Sequence, residues 1–312
     1  RIRFLWRKLQ RDEFNSLFEE EYNKLKDDDS LNLELPVFEN VGATPTLAVE
    51  NASGEAYETW QKRYLFKQKQ SGLWSIKIPL RLGDLLTEDA NVLCDFLEHF
   101  GENTIRCERG QNIQLRNIPE AYLGNAFNVI SSLKHTLTKF PYFISNMINC
   151  TGASTCKLGI CLPRGLSDAI RDRLEHSDID FDQIPNFKLN MSGCPNTCGM
   201  HHIADLGFFG KVGRQNGDLY PAYNVLAGAK YGESGKTEYA QKAGDIAAHR
   251  IPEFVEAFLR DYVTKKDTYG SYHDYLDQEA LIELKNWVRS GGKLLVMESS
   301  LDKFVDQKGY GL

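Results

Sequence analysis

Apolar and polar positions divide the chain into segments of different period. In "FLWRKLQRDEFNSLFEEEYNKLK" (4–26) apolar residues return at about helical spacing, which predicts helix over residues 1–27. "DDDSLNLELPVFENVGATPTLAVENASGEA" (27–56) is rich in turn formers, has no sustained helical period, and reads as a connector over the surface. "LWSIKIPLRL" (73–82) alternates as a strand does, and "TEDANVLCDFLEHF" (87–100) is an amphipathic helix with Thr87 as N-cap and Gly101 as its stop. "NTIRCERGQNIQLRNIP" (103–119) gives two short strands around a tight turn at Arg109-Gly110. Strand, helix, strand, strand predicts a parallel crossover followed by a hairpin, a small α+β layer.

Beyond it, "AYLGNAFNVISSLKHTL" (121–137) is helical and leads to Phe140-Pro141. "LSDAIRDRLE" (166–175) is a helix with Ser167 as a candidate N-cap, and "NFKLNM" (186–191) is a strand. "ADLGFFGKVG" (204–213) and "LYPAYNVLAGAKY" (219–231) read as strands joined by a turn at Asn216-Gly217. "IPEFVEAFLRDYVTKK" (251–266) and "DQEALIELKNWVRS" (277–290) read as helices, the second ended by Gly291-Gly292. No short-period repeat or low-complexity tract interrupts this order.

Composition narrows the class. With 312 residues, 42% of them hydrophobic, the chain has room for two or three packed units. No run approaches the ~18 apolar residues of a membrane span, so no membrane partner is expected. The N-terminus is charged, lacks the apolar core of a signal peptide, and opens on Arg1, so the chain is read as starting after processing or partway through a longer protein. A net charge of -6 argues against nucleic acid as the main partner. The acidic runs "EEEYNKLKDDD" and "DIDFDQ" read as solvated faces, and an acidic electron carrier would not favour them. Seven cysteines without a secretory signal are expected to be reduced.

Four of those cysteines stand out: Cys150 and Cys156 in "CTGASTC", then, after 37 residues, Cys194 and Cys198 in "MSGCPNTCGMHH". Three readings compete. Buried cysteines that merely pack describe Cys94 and Cys107, each within an apolar helix or strand, but suit four cysteines in Gly/Pro/Asn/Ser loops poorly. Zinc could take Cys194, Cys198 and His201 or His202, although C-x5-C is wider than a zinc knuckle. A 4Fe–4S cluster on Cys150, Cys156, Cys194 and Cys198 fits the spacing best, because two pairs from separate loops can reach the corners of a cubane. Glycines at 152, 193 and 199 let backbone N–H groups approach cluster sulfur, and Pro195 stiffens the loop. Cys161 is a spare ligand candidate, read as a packed bystander.

"NCTGASTC", "MSGCPNTCGMHHIADLGFFG" and "YNVLAGA" together resemble the sirohaem-dependent nitrite and sulfite reductases. "LWSIKIPLRLGDLL…NTIRCERGQNIQLRNIP" is similar to that family's ferredoxin-like half-domain, and "IPEFVEAFLRDYV" to its closing helix, so the likeness covers about 60–275. It implies an α+β chain: helix and linker over 1–56, a ferredoxin-like half-domain over 57–140, an α/β sirohaem/4Fe–4S domain over 141–270 and a helical tail over 271–312. Family members have two such halves, and this chain corresponds to the later one, with residues 1–27 as the tail of the earlier.

The implied chemistry is six-electron reduction of nitrite to ammonia or sulfite to sulfide in the cytoplasm, with electrons from ferredoxin or a flavoprotein. By the same resemblance Cys198 is the ligand shared between cluster and sirohaem, and Asn196 and Thr151 contact the cluster–haem edge, with plain loop capping as their alternative. Sirohaem is rich in carboxylates, whereas cations near the cysteines are scattered (Lys157, Arg164, Lys188, Lys211, Arg214). The Arg and Lys groups that grip sirohaem and substrate are therefore expected from the N-terminal half, with no catalytic residue in this chain and no activity of the chain alone. Arg106, Arg109, His201 and His202 are read as structural, and Tyr220 and Tyr223 as packed. A stand-alone iron–sulfur or zinc module, relaying electrons or assisting assembly without an active site, is the reading from another class.

Overall fold

The helical spacing at the N-terminus folds as two helices, α1 (Ile2–Lys8) and α2 (Arg11–Leu25), separated where Gln10 turns extended. The computed structural model describes residues 2–33, 45–215, 217–233 and 235–280. The chain divides into two compact units, residues 1–40 and 41–312. In the first, Lys24 bridges Glu20 and Glu21 at 2.8 Å each, and Trp6 meets Phe14 edge-on. No residue of α2 is buried.

The second unit starts with a segment expected to run over the surface. Instead Leu47 packs against a core, and the buried amide of Asn125 accepts from Glu50 N and donates to the Ala48 carbonyl, both at 2.9 Å. That docking satisfies a side chain that would otherwise be buried without partners. The elements α3 (Glu55–Tyr64), β1 (Leu65–Lys67), β2 (Leu73–Ile78), α4 (Thr87–Leu97), β3 (Ile105–Cys107), β4 (Ile113–Pro119) and α5 (Leu123–Ser132) follow. The sheet order is β1-β2-β4-β3 with antiparallel pairs, so β2 and β3 run the same way on either side of β4. That is the expected crossover through α4 and the expected hairpin. Trp60, Ile76, Leu93, Phe96, Leu115 and Ile130 share its core.

Several local expectations change in the fold. Thr87 is inside the first turn of α4 and Leu86 takes the cap without a side-chain bond. Gly101 ends this stretch at φ +85, as expected. Asp89, 3% exposed, accepts from Lys134 N and His135 N at 2.9 Å each. Those bonds hold the chain out of helix after Ser132, so α5 is shorter than its apolar pattern. Cys94 and Cys107 are exposed rather than packed. Cys94 lies off the Leu93–Phe96–Leu97 stripe of α4, and Cys107 is on β3, the edge strand.

The chain then forms α6 (Tyr142–Ser145), β5 (Ile148–Asn149), α7 (Pro163–Glu175), β6 (Leu189–Ser192), β7 (Leu206–Gln215), β8 (Asp218–Ala227), β9 (Lys230–Glu233), β10 (Lys236–Glu238), β11 (Gln241–Ala247), α8 (Ile251–Lys265) and α9 (Tyr272–Tyr275). Pro163 opens α7, which leaves Ser167 fully buried inside the helix rather than at its cap. Asn216, at the expected hairpin turn, lies outside the described residues, while Gly217 beside it has φ +96. Most of the helix expected over 277–290, with Gly291 and Gly292, also lies outside them. The larger sheet has the order β11-β8-β7-β6-β5, parallel across β5, β6 and β7 and antiparallel beyond. Leu189, Met191, Leu206 and Phe208 pack with Leu166 and Ile170 of α7 and Val255 and Leu259 of α8. By strand alternation Asn190 and Ser192 take the opposite face.

Adjacent residues of α3 join the two layers. Arg63 grips the Asp182 carboxylate with two bonds of 2.9 and 2.6 Å. Tyr64, fully buried, donates its hydroxyl to the Phe140 carbonyl at 2.5 Å and meets Ser145 Oγ. Tyr64→Phe is expected to destabilise the fold by about 1–3 kcal/mol, because the ring stays packed while its buried partners lose a hydrogen bond. Denaturant unfolding of both proteins checks this, with a fall in midpoint at unchanged slope as the expected result.

Candidate functional site

The cysteine loops leave the C-terminal ends of two adjacent parallel strands, β5 and β6. Loops at that end of a parallel sheet converge over one crevice, the usual place for a ligand in α/β layers. Here they also interlock. Gly193 N–H donates to Cys150 Sγ at 3.1 Å, and the Gly193 carbonyl accepts from Ile160 and Cys161 N–H at 2.9 Å each. Ala153 N–H donates to the Cys161 carbonyl at 2.9 Å, and Cys150 N–H to the Met191 carbonyl at 3.1 Å.

The interlock leaves no room for side chains. A Cβ on Gly193 would stand 2.7 Å from the Cys161 carbonyl and 2.8 Å from Gly152 Cα. At Gly152 a Cβ would stand 2.2 Å from Pro163 Cδ, and φ is +60. Both positions therefore require glycine for close backbone approach.

Cys194 is buried, Cys150 and Cys156 are half-buried, and Cys198 is exposed. Among the described residues no three His, Cys, Asp or Glu side chains surround a single metal-ion position. Zinc needs all its ligands within about 2.0–2.3 Å of one ion, so the proposed set of Cys194, Cys198 and His201 or His202 is not assembled. A cubane instead takes its ligands at four separate irons, hence further apart, and a backbone N–H already directed at Cys150 sulfur suits a cluster thiolate. Cys161 has the surroundings of a packed residue. It lies in the core 3.4 Å from the Ala222 carbonyl, and burial pushes its thiol pKa up, which keeps it protonated.

Thr151 is exposed and shares its hydroxyl with Thr155 at 2.6 Å and Ser154 at 3.2 Å, a local loop-capping cluster. Asn196 is half-buried in the second loop. Arg164 pairs with Asp84, Lys211 with Asp245 at 2.5 Å, and Arg106 holds the Asn103 and Ile105 carbonyls. Lys157 and Arg214 are exposed. Tyr223 is buried in the core and the Tyr220 ring lies against Gly213, as expected of packed strand residues.

Ser192 and His201 support the second loop from beneath, an arrangement that residue types alone did not reveal for Ser192. Ser192 Oγ accepts from Gly199 N–H at 2.9 Å and meets His201 Nδ1 at 2.8 Å. His201 is fully buried, stacked on Phe209 at 5.0 Å, with Nε2 lacking a hydrogen-bond partner among the described residues. It is structural, as the sequence suggested. Burial, and secondarily the neighbouring His202, lowers its pKa to about 4; burial also lowers that of His202.

Two family models match the chain: the nitrite and sulphite reductase 4Fe-4S domain over residues 143–288, and the nitrite/sulfite reductase ferredoxin-like half domain over residues 66–132. The chain is similar to the ferredoxin–nitrite reductase of Synechococcus elongatus, with 27% identity over 64% of this chain. It is 21% identical to a ferredoxin sulfite reductase of Mycolicibacterium paratuberculosis over 68% of this chain. The match spans 39% of each relative's length. Among solved structures, the NirA protein of Mycobacterium tuberculosis shares the fold with a TM-score of 0.64 at 18% identity, covering 91% of this chain and 48% of that one.

The buried imidazole makes stability depend on pH. The unfolded ring takes a proton near its ordinary 6.5 and the folded ring resists until about 4, so acid favours unfolding. The contribution is intact above about pH 6.5 and is lost as pH falls toward 4. Thermal unfolding across that range is expected to show a steeper fall in Tm for the parent than for His201→Gln, the difference in slope being the readout.

Proposed function

The chain belongs to the sirohaem-dependent nitrite and sulfite reductase family, and we propose that it is the cluster-bearing C-terminal half of such an enzyme. The family's cofactors are a 4Fe–4S cluster and sirohaem. The observation that carries the reading is the Gly193 N–H bond to Cys150 sulfur, which joins the two cysteine loops over one crevice. In this reading Cys150, Cys156, Cys194 and Cys198 hold the cluster.

When bound, the two cofactors supply one-electron transfers for the six-electron reduction of nitrite to ammonia or of sulfite to sulfide. The residues of this chain hold and tune. Gly193 N–H stabilises thiolate charge on Cys150. Ser192 fixes the far end of the second loop through Gly199, and so sets where Cys198 stands. Cys198 is the exposed member of the pair whose other member, Cys194, is buried, which suits it to the ligand shared with sirohaem. Asn196, with no side-chain hydrogen bond among the described residues, is free to contact the cluster–haem edge. Thr151 is assigned to the same edge, with its hydroxyl already shared with Thr155.

The substrate-binding Arg and Lys groups come from the N-terminal half of the protein. Leu158, Ile160 and Leu162, exposed at 56%, 42% and 57% beside Cys156, form an apolar rim suited to being covered by that half. Ferredoxin or a flavoprotein supplies the electrons; both relatives named above carry ferredoxin in their names. Among the described residues no helix is long and apolar enough to cross a membrane, and reduced thiols suit the cytoplasm.

Anaerobic reconstitution with iron and sulfide, followed by metal and acid-labile sulfide analysis, tests the ligand set. About four irons and four sulfides per chain are expected. Cys150→Ser, Cys156→Ser, Cys194→Ser and Cys198→Ser should each lose most of that iron, whereas Cys161→Ser and Cys94→Ser should keep it. One zinc without sulfide, or full iron retention in Cys194→Ser, would contradict the assignment.

A further inference from the structure

On the sheet face away from the α7–α8 core lies a cavity of about 530 Å³, between the β3–β4 turn, the starts of β5 and β6, and β9. Lys77, Glu108, Arg109, Asn146, Lys188, Asn190 and Tyr231 supply its polar lining, and none of the four loop cysteines contributes. Lys77 is fully engaged: it pairs with Glu108 at 2.9 Å and donates to Tyr142 Oη at 2.6 Å and Asn146 Oδ1 at 3.3 Å. The same contact occupies the one carboxylate in the lining.

Arg109 and Lys188 are different. Neither has a carboxylate within ion-pair distance among the described residues, yet the fold places both over one aromatic ring. The Arg109 guanidinium lies 5.2 Å and Lys188 Nζ 5.4 Å from the Tyr231 ring centre. Arg109 also donates to Tyr231 Oη at 2.9 Å, and this bond, with the charges of both cations, lowers the phenol pKa. Two neighbouring cations without a counter-charge repel each other, and an anion between them offsets that cost.

Asn190 is part of the cavity wall. It is 2% exposed, and its Nδ2 donates to the Met200 carbonyl at 3.1 Å, which holds the wall in place. The complementary ligand is anionic. We propose that Arg109 and Lys188, held over Tyr231 at the mouth of this cavity, form a binding site for a phosphate-type oxyanion, its charged oxygens on the guanidinium and the ammonium. Ile148, Met200 and Ile203 line the rest of the cavity and leave room for an organic group on the phosphate. None of the four loop cysteines lines the site, and the proposal does not rest on the reductase reading.

Isothermal titration of the full chain with inorganic phosphate and with phenyl phosphate, at near-neutral pH and low salt, tests the proposal. Saturable binding at one site per chain is expected, weakened about tenfold or more by Lys188→Gln or Arg109→Gln and unchanged in Lys62→Gln, an equal charge change on exposed α3 surface. Arg109 is exposed in the β3–β4 turn and Lys188 is half-buried just before β6, and an unchanged Tm verifies that each variant folds. Tighter binding of phenyl phosphate identifies an organic phosphate as the occupant; equal or tighter binding of inorganic phosphate identifies the free ion. No saturable binding of either probe, or equal affinity in the parent, Lys188→Gln and Arg109→Gln proteins, overturns the proposal.

Discussion

The main chain of Gly193 is the joint on which the cysteine region depends. Its N–H reaches Cys150 sulfur and its carbonyl takes two N–H groups from the end of the first loop. Both contacts demand an approach that any Cβ would block from two sides. The loops are otherwise irregular segments, and such segments hold shape only when their backbone groups find partners. Here the bonds from one loop to the other pass through Gly193, so its main chain fixes the first loop against the second.

This joint works because of the sheet beneath it. Strand alternation sends Leu189 and Met191 into the core under α7 and α8, while Asn190 and Ser192 take the other face. Ser192 braces the second loop and Asn190 borders the cavity, so one four-residue strand sets the core, the loop and the cavity wall. Arg63 and Tyr64 then clamp α3 of the smaller layer onto Asp182 and Phe140 of the larger. The cavity needs that clamp, since Lys77 and Arg109 come from one layer and Lys188 and Asn190 from the other.

Electrostatics divides the region into two environments. At the cysteine loops charge is handled by neutral backbone donors, and nearby Arg164 and Lys211 are neutralised by carboxylates. At the cavity Arg109 and Lys188 share only an aromatic ring and a phenol oxygen. The contrast explains why scattered cations near the cysteines do not amount to a basic pocket there. It also separates the paired cations from the two that retain capacity for an anion.

Much of this was legible in the residues. The strand–helix–strand–strand order, the hairpin at Arg109-Gly110, the helix over 251–265 and the four loop cysteines follow from short-range pattern, and period and turn chemistry are local properties. Where local pattern misled, a distant partner had decided. Asp89 ends α5 through Lys134 and His135, and Asn125 pulls the 45–52 segment onto the core. At α7 the deciding signal was local, since Pro163 starts the helix ahead of Ser167. The edge position of β3 exposes Cys107, which an apolar strand had suggested was packed. The sequence by itself determined which residues can bind metal and which segments become strands or helices. Only the tertiary structure decided that Gly193 would meet Cys150 and that Arg109, Lys188 and Asn190 would border one cavity, because Gly193 and Cys150 are 43 positions apart and Arg109 lies about 80 positions from the other two, brought together by packing that no local period encodes.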